Sequence, residues 1–271
     1  MEIDFIKTSP TENMTILVET PLSEEQHLEV AEKLMAYNSI YGEQVGFIQE
    51  PKNKHAAKAL RMMAGEFCGN ATLSLAACLM EQKQLPLNAT ETVLLEVSGA
   101  KNLVSCEIQK IESGYLGKVD MPLPFSVDWE TFFIGSKAFT LPVVRFEGIA
   151  HIIVEHKLWG ENARMKAEQA SSLWADSMPD AFGILLWDGE TGELEPLICV
   201  KGTSLIWERG CGSGTSAIGI FLAMQARSTV SVDCNQPGGT MRVQVVMTDG
   251  KMTALQITGH VSIVAKGKAY I

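Results

Sequence analysis

Cysteine is scarce in this chain, basic side chains are outnumbered, and no apolar run is long. Six cysteines in 271 residues are too few for a disulfide scaffold. There is no Cys-x-x-Cys and no His-x-x-x-His. The five histidines suggest no zinc spacing: His27 lies in a polar helical stretch and His55 in the charged "KNKHAAK". His151 and His156 sit in the strand-like "HIIVEH", where an odd separation puts them on opposite faces. Neither a metal nor a cofactor is called for. With 32 acidic against 22 basic side chains and a formal net charge of −10, the chain is unsuited to a nucleic acid or an anionic membrane as partner. "MEIDFIKT" shows no basic stretch leading into a long apolar one. The longest apolar runs, such as "AIGIFLAM" at 217–224, are too short to span a bilayer. A soluble, cytoplasmic protein is expected.

What is present is a pattern that occurs twice. "GEFCGNATLSLAA" and "RGCGSGTSAIG" place their cysteines, Cys68 and Cys211, 143 positions apart, each heading an apolar run. Those runs, "ATLSLAACLMEQKQL" and "TSAIGIFLAMQA", are apolar on most sides and predict buried helices. By contrast "SEEQHLEVAEKLMAY" (23–37), with Leu28, Ala31, Leu34 and Met35 on one face behind a Ser23 cap, predicts an amphipathic surface helix. Strands are expected at 14–20, 45–50, 92–99, 102–108 and 115–121 in the first half. In the second they are expected at "FTLPVVRFEG", "AHIIVEH", "FGILLWD" and "SLIWE", with a surface helix at "ARMKAEQASSLWADS". Gly99 follows Cys68 by 31 residues and Gly239 follows Cys211 by 28, each opening an alternating strand. The plan reads as an internal duplication joined at "MPLPFSVD" (121–128).

A cysteine at a helix N-terminus meets unpaired N–H groups and a partial positive charge, which favour its thiolate and lower its pKa. Gly69-Asn70 and Gly212-Ser213 leave the same N–H groups open to a carboxylate. Two such sites acting together suit inversion of a stereocentre, with a base on one face of the α-carbon and an acid on the other. For Cys78, Cys106 and Cys199 a core role is expected, and for Cys234 in "DCNQPGG" an exposed one. A nucleotide-binding βαβ reading of the second copy meets the wrong glycine spacing, Gly210, Gly212 and Gly214 followed by Thr215. An amino-acid-binding protein with a regulatory disulfide stays open beside the enzyme.

With these residues in hand, the chain resembles the diaminopimelate epimerase family of cofactor-independent racemases, through "FCGNAT" and "GCGSGT". Within it, "SPTENMTILV", "EQVGFI", "GEFCGNAT", "LIWE", "QPGG" and "GKAYI" look most like the histidine racemases of staphylopine-type opine metallophore synthesis. The resemblance implies an α+β fold of two pseudosymmetric domains, each a mixed β-sheet or barrel wrapped around a central helix. The first would span 1–121, completed by 262–271, and the second 122–261, with the site between them and a homodimer as the usual assembly. It implies Cys68 and Cys211 as acid/base pair, and Gly69, Asn70, Gly212 and Ser213 as donors to the substrate carboxylate. Asn13, Gln44 and Glu208 would lie near the amino-acid substrate. His151 matches a family histidine, here read as structural. Met63, Ile149 and Ala181 stand where diaminopimelate epimerases carry distal asparagines, so histidine racemisation is expected, with diaminopimelate epimerisation or a broader racemase as alternatives.

Overall fold

The computed structural model describes residues 1–202 and 204–271. The chain divides into two compact units, Met1–Met121 with Ile257–Ile271, and Pro122–Gln256. The first carries β1 (Glu2–Pro10), β2 (Thr15–Val18), α1 (Glu24–Met35), β3 (Gln44–Gln49), β4 (Lys58–Met62), α2 (Gly69–Gln82), β5 (Thr90–Val97), β6 (Val104–Ile111) and β7 (Gly114–Asp120). The second carries β8 (Ser126–Ile134), β9 (Lys137–Phe146), β10 (Ile149–Glu155), α3 (His156–Trp159), α4 (Ala163–Trp174), β11 (Ala181–Asp188), β12 (Glu193–Val200), β13 (Ser204–Trp207), α5 (Gly212–Ala226), β14 (Val230–Gln236) and β15 (Gly239–Thr248). A twenty-residue strand, β16 (Lys251–Tyr270), begins in the second unit and ends in the first.

In the first unit the strands run β1-β2-β3-β4-β5-β6-β7-β16, and β1 also pairs with β16, so the order returns to its start. That closing register runs from Glu2↔Tyr270 to Pro10↔Val261 with a shift between Lys7 and Thr8. Strand pairs β2–β3 and β4–β5 are parallel and the neighbouring β1–β2, β3–β4 and β5–β6 antiparallel. Helix α2 is buried from Gly69 through Cys78 and packs against β1, β2, β5, β6 and β7. Strand β7 comes so close that a Cβ on Gly117 would lie 2.7 Å from Leu73. Helix α1 covers Ile3, Phe5, Ile16, Val45 and Phe47 with Val30, Ala31 and Leu34. Of the expected face, Ala31 and Leu34 are buried and Leu28 is 53% exposed, while His27, which was not expected there, is inside and stacked on Phe47 at 3.7 Å.

In the second unit the order is β15-β14-β12-β11-β10-β9-β8, with β13 paired to β12. Helix α5 is buried along most of its length against β15, β14, β10 and β9, with Val243 filling the space a Cβ on Gly219 would occupy. Helices α3 and α4 cover another face with Trp159, Ala167, Ala170 and Trp174. The expected fold class, two equivalent halves in the diaminopimelate epimerase manner, is not the one formed. Sixteen strands in a mixed sheet dominate the described residues, and the units differ in strand closure and in their covering helices. Prolines 122 and 124 lead directly into β8. Among the described residues no helix is long and apolar enough to cross a membrane.

Candidate active site

Cys68 is the N-cap of α2, extended at φ −134°, ψ 112°, with its Sγ accepting the Ala71 N–H at 3.4 Å. A cysteine serves here because its sulfur meets an orphan amide of the first turn. Its thiol donates to Gln44 Oε1 at 2.9 Å. Gln44 is fixed in that orientation, since its Nε2 donates to Asn13 Oδ1 at 2.5 Å and to Thr15 Oγ1 at 2.8 Å. Asn13 Oδ1 also accepts from Asn70 Nδ2 at 3.0 Å, and Asn13 Nδ2 donates to Glu43 at 2.7 Å. Asn13 is aimed by the β1–β2 turn, where Thr11 and Glu12 take left-handed φ of 48° and 57°. Such a turn ordinarily selects Asn-Gly, so backbone strain is accepted here to aim a side chain. Asn13, Gln44, Cys68 and Asn70 thus form one connected group inside the first unit.

Cys211 repeats the arrangement in the second unit. It caps α5, extended at φ −108°, ψ 108°, and its Sγ accepts the Gly214 N–H at 3.3 Å. The next turn is bonded as at Cys68: Thr215 and Thr72 hydroxyls donate to the Cys211 and Cys68 carbonyls at 2.7 and 2.6 Å. Ser213 Oγ lies 3.5 Å from Cys211 Sγ and 2.9 Å from His151 Nε2. The receiving oxygen is what differs, because the Cys211 thiol hydrogen-bonds the Glu208 carboxylate. Glu208 follows β13, and its N–H is held by the Pro196 carbonyl at 3.0 Å.

Electrostatics at Cys211 run opposite to the helix-dipole expectation. Burial, then the Glu208 charge and hydrogen bond, push the thiol well above its usual value, while Ser213 and the Gly214 N–H pull it down. Desolvation outweighs a helix terminus whose whole effect is about 0.3–2 kcal/mol. His151 is buried and held down to about 3 by burial, so it is neutral at physiological pH. Cys234, expected at the surface, is fully buried, and its thiol is pushed up to about 12. Sequence reasoning passed over Glu43, although it stands next to Gln44. His151, read as structural, is buried with its ring on the Ser213 hydroxyl.

Residues 2–270 match the family described as histidine racemase CntK N-terminal domain. The chain belongs to the histidine racemase family. A histidine racemase of Staphylococcus aureus is 32% identical over 274 residues, spanning 99% of this chain and 98% of that one. One of Fusobacterium nucleatum is 31% identical over 277 residues, 99% and 97% of the two chains. This histidine racemase relative is accordingly an isomerase, an amino-acid racemase. Among solved structures, a hydroxyproline epimerase from Agrobacterium vitis with bound trans-4-hydroxy-L-proline matches with a TM-score of 0.75 at 14% identity, over 98% of this chain and 92% of that one. A probable proline racemase from Agrobacterium radiobacter matches at 0.74, also at 14% identity, over 99% and 92%. The fold is that of the proline racemases, which corrects the diaminopimelate epimerase fold expected from the cysteine motifs. Those motifs specify two helix starts and leave the surrounding sheet open.

Proposed function

We propose that the enzyme interconverts L- and D-histidine without a cofactor, one cysteine removing the α-proton while the other returns a proton to the opposite face. The observation that carries this reading is the pair of buried-helix N-caps in which each thiol donates to an oxygen of its own unit, Gln44 Oε1 or the Glu208 carboxylate. Breaking the Cα–H bond leaves its electron pair delocalised into the substrate carboxylate. The N–H groups of Gly69, Asn70, Gly212 and Ser213, in two first turns, are the donors we assign to that charge. Once a bound amino acid brings its α-ammonium beside Cys211, the thiol proton has a carboxylate, Glu208, to go to, whereas the Gln44 amide cannot take the Cys68 proton. Cys68 therefore starts as acid, and the roles exchange in the reverse direction. The α-ammonium of a bound amino acid supplies the positive charge that the buried Cys211 needs to ionise.

Histidine is assigned from the full-length relatives that bear that name and from Met63, Ile149 and Ala181, which offer a second amino-acid head group no polar partner. Supply of D-histidine to an opine metallophore, a homodimer and a cytoplasmic location complete the reading; they are supported by the motif resemblance and, for the location, by the lack of a long apolar run.

The test is α-proton exchange and racemisation of a panel of L-amino acids in D₂O, followed by NMR and chiral chromatography. Histidine is expected to exchange and invert in both directions, and diaminopimelate to do so poorly. Exhaustive dialysis against EDTA and treatment with carbonyl reagents should leave the rate unchanged. A higher kcat/KM for diaminopimelate, or activity lost to EDTA and restored by metal, would overturn the assignment.

A further inference from the structure

Gln236-Pro237-Gly238-Gly239 forms the tight connection between β14 and β15, and the acid–base reading gives it no task. Gln236 is buried beside the head of α5. Its Oε1 accepts the Cys211 N–H at 2.7 Å, and its Nε2 donates to Thr215 Oγ1 at 2.8 Å. The Thr215 hydroxyl in turn donates to the Cys211 carbonyl at 2.7 Å. These three bonds close a ring through the N–H and C=O of a single residue. The connection is also tied to the residues before the cysteine: Gly238 N–H donates to the Arg209 carbonyl at 2.7 Å, and Arg209 Nη2 to the Pro237 carbonyl at 3.1 Å.

With both of its peptide groups held, Cys211 keeps only its χ1 torsion, and the Gly214 N–H at the sulfur selects that. A capping residue in extended conformation sits at the frayed end of a helix, where backbone order is least assured. Moving a proton between sulfur and carbon is sensitive to sub-ångström placement. Leu in place of Gln236 would keep the volume and leave a buried Cys211 N–H without its partner.

We propose that Gln236 is a positioning residue that clamps the Cys211 backbone, and through it the sulfur, for proton transfer. The proposal rests on the two-base reading above. Both side-chain bonds of Gln236 go to Cys211 and Thr215, in the unit that carries Cys211, so its loss should be felt by one cysteine and not by the other.

The experiment is Gln236→Leu in three backgrounds, with melting temperature recorded for each. In the otherwise unchanged enzyme, kcat for histidine should fall at least about tenfold with KM within about twofold. In Cys68→Ser, where Cys211 alone exchanges the α-proton of one enantiomer, the substitution should slow exchange by a similar factor. In Cys211→Ser, exchange by Cys68 should change less than about twofold. Thr215→Val should mimic the loss, and Thr215→Ser should restore it, which keeps the question answerable if Gln236→Leu does not fold. Equal slowing in both single-cysteine backgrounds, an unchanged kcat, or a loss carried by KM would overturn the clamp. No exchange from Cys68→Ser by itself would count against the two-base reading instead, and the kcat–KM split would still decide the clamp.

Discussion

Cys68 and Cys211 occupy equivalent helix starts and face unequal acceptors, a neutral amide oxygen and a carboxylate. Replacing either by serine should abolish racemisation, because a hydroxyl is too weak an acid and its alkoxide is inaccessible at neutral pH. Each variant should still exchange the α-proton of one enantiomer, and the two should prefer opposite enantiomers. Near-normal racemisation by either would exclude a two-base mechanism. The carboxylate adds a signed expectation: since Glu208 raises the Cys211 pKa by charge and hydrogen bond, Glu208→Gln should shift the pH profile of Cys211 alkylation to lower pH and leave that of Cys68 in place. A profile that moved upward, or moved for both thiols, would contradict the assignment of Glu208 to Cys211. The positions of the two cysteines at helix starts were legible in the sequence because a repeated context singles them out from the other four. The protonation preference of Cys211 was not, because it depends on burial by strands far away in the chain.

At the level of elements, strand β11 approaches β10 closely enough that only a residue without a side chain fits at Gly183. A Cβ there would lie 2.4 Å from His151 Nδ1 and 2.8 Å from Ile198. Gly183→Ala should therefore destabilise the protein by about 1–3 kcal/mol in urea unfolding, as overpacking does. It should also lower kcat, since His151 would be displaced from Ser213, 2.9 Å away. Unchanged stability would show that the strands yield without cost. Elements with strong local signals, α2, α5, β9, β10 and β11, could be read from periodicity alone. Strands β1, β4, β12 and the C-terminal part of β16 could not. Pro196 interrupts β12, and β16 ends in the exposed "VAKGK", whose pairing with β1 across the whole chain length is what makes it a strand. On α1 the expectation held for Ala31 and Leu34 and failed at Leu28, because His27 is polar by type and apolar in use, lying flat on Phe47.

For the molecule as a whole, buried thiols set an alkaline limit. Burial pushes Cys78 and Cys234 up to about 12 and raises Cys106 and Cys211 as well, from an ordinary value near 9.0. In the unfolded chain these thiols ionise near pH 9, so above that pH the unfolded state binds fewer protons and stability falls as pH rises. At pH 10 each of the four removes stability on the order of 1 kcal/mol. Urea unfolding under reductant should show a much lower midpoint at pH 10 than at pH 8, and Cys234→Ala should flatten the difference. Equal midpoints at the two pH values would mean that the thiols are not held protonated by the fold. The duplicated cysteine motif gave no hint of the proline racemase fold, because strand order is decided by pairings between distant segments.

The return of β16 to β1 also imposes an order of events. Until Ile257–Tyr270 has been made, β1 lacks the partner that closes the first unit, and the whole of Pro122–Gln256 lies between them in the chain. During synthesis the first unit must wait with two open strand edges while the second is completed, and loop closure over that distance makes its last pairing slow. The charged pairs along that seam, Lys268 with Glu2 and Asp4 and Lys266 with Glu19, leave acidic side chains, Glu2 and Asp4, on the waiting β1 edge. Those charges discourage a premature match with another chain.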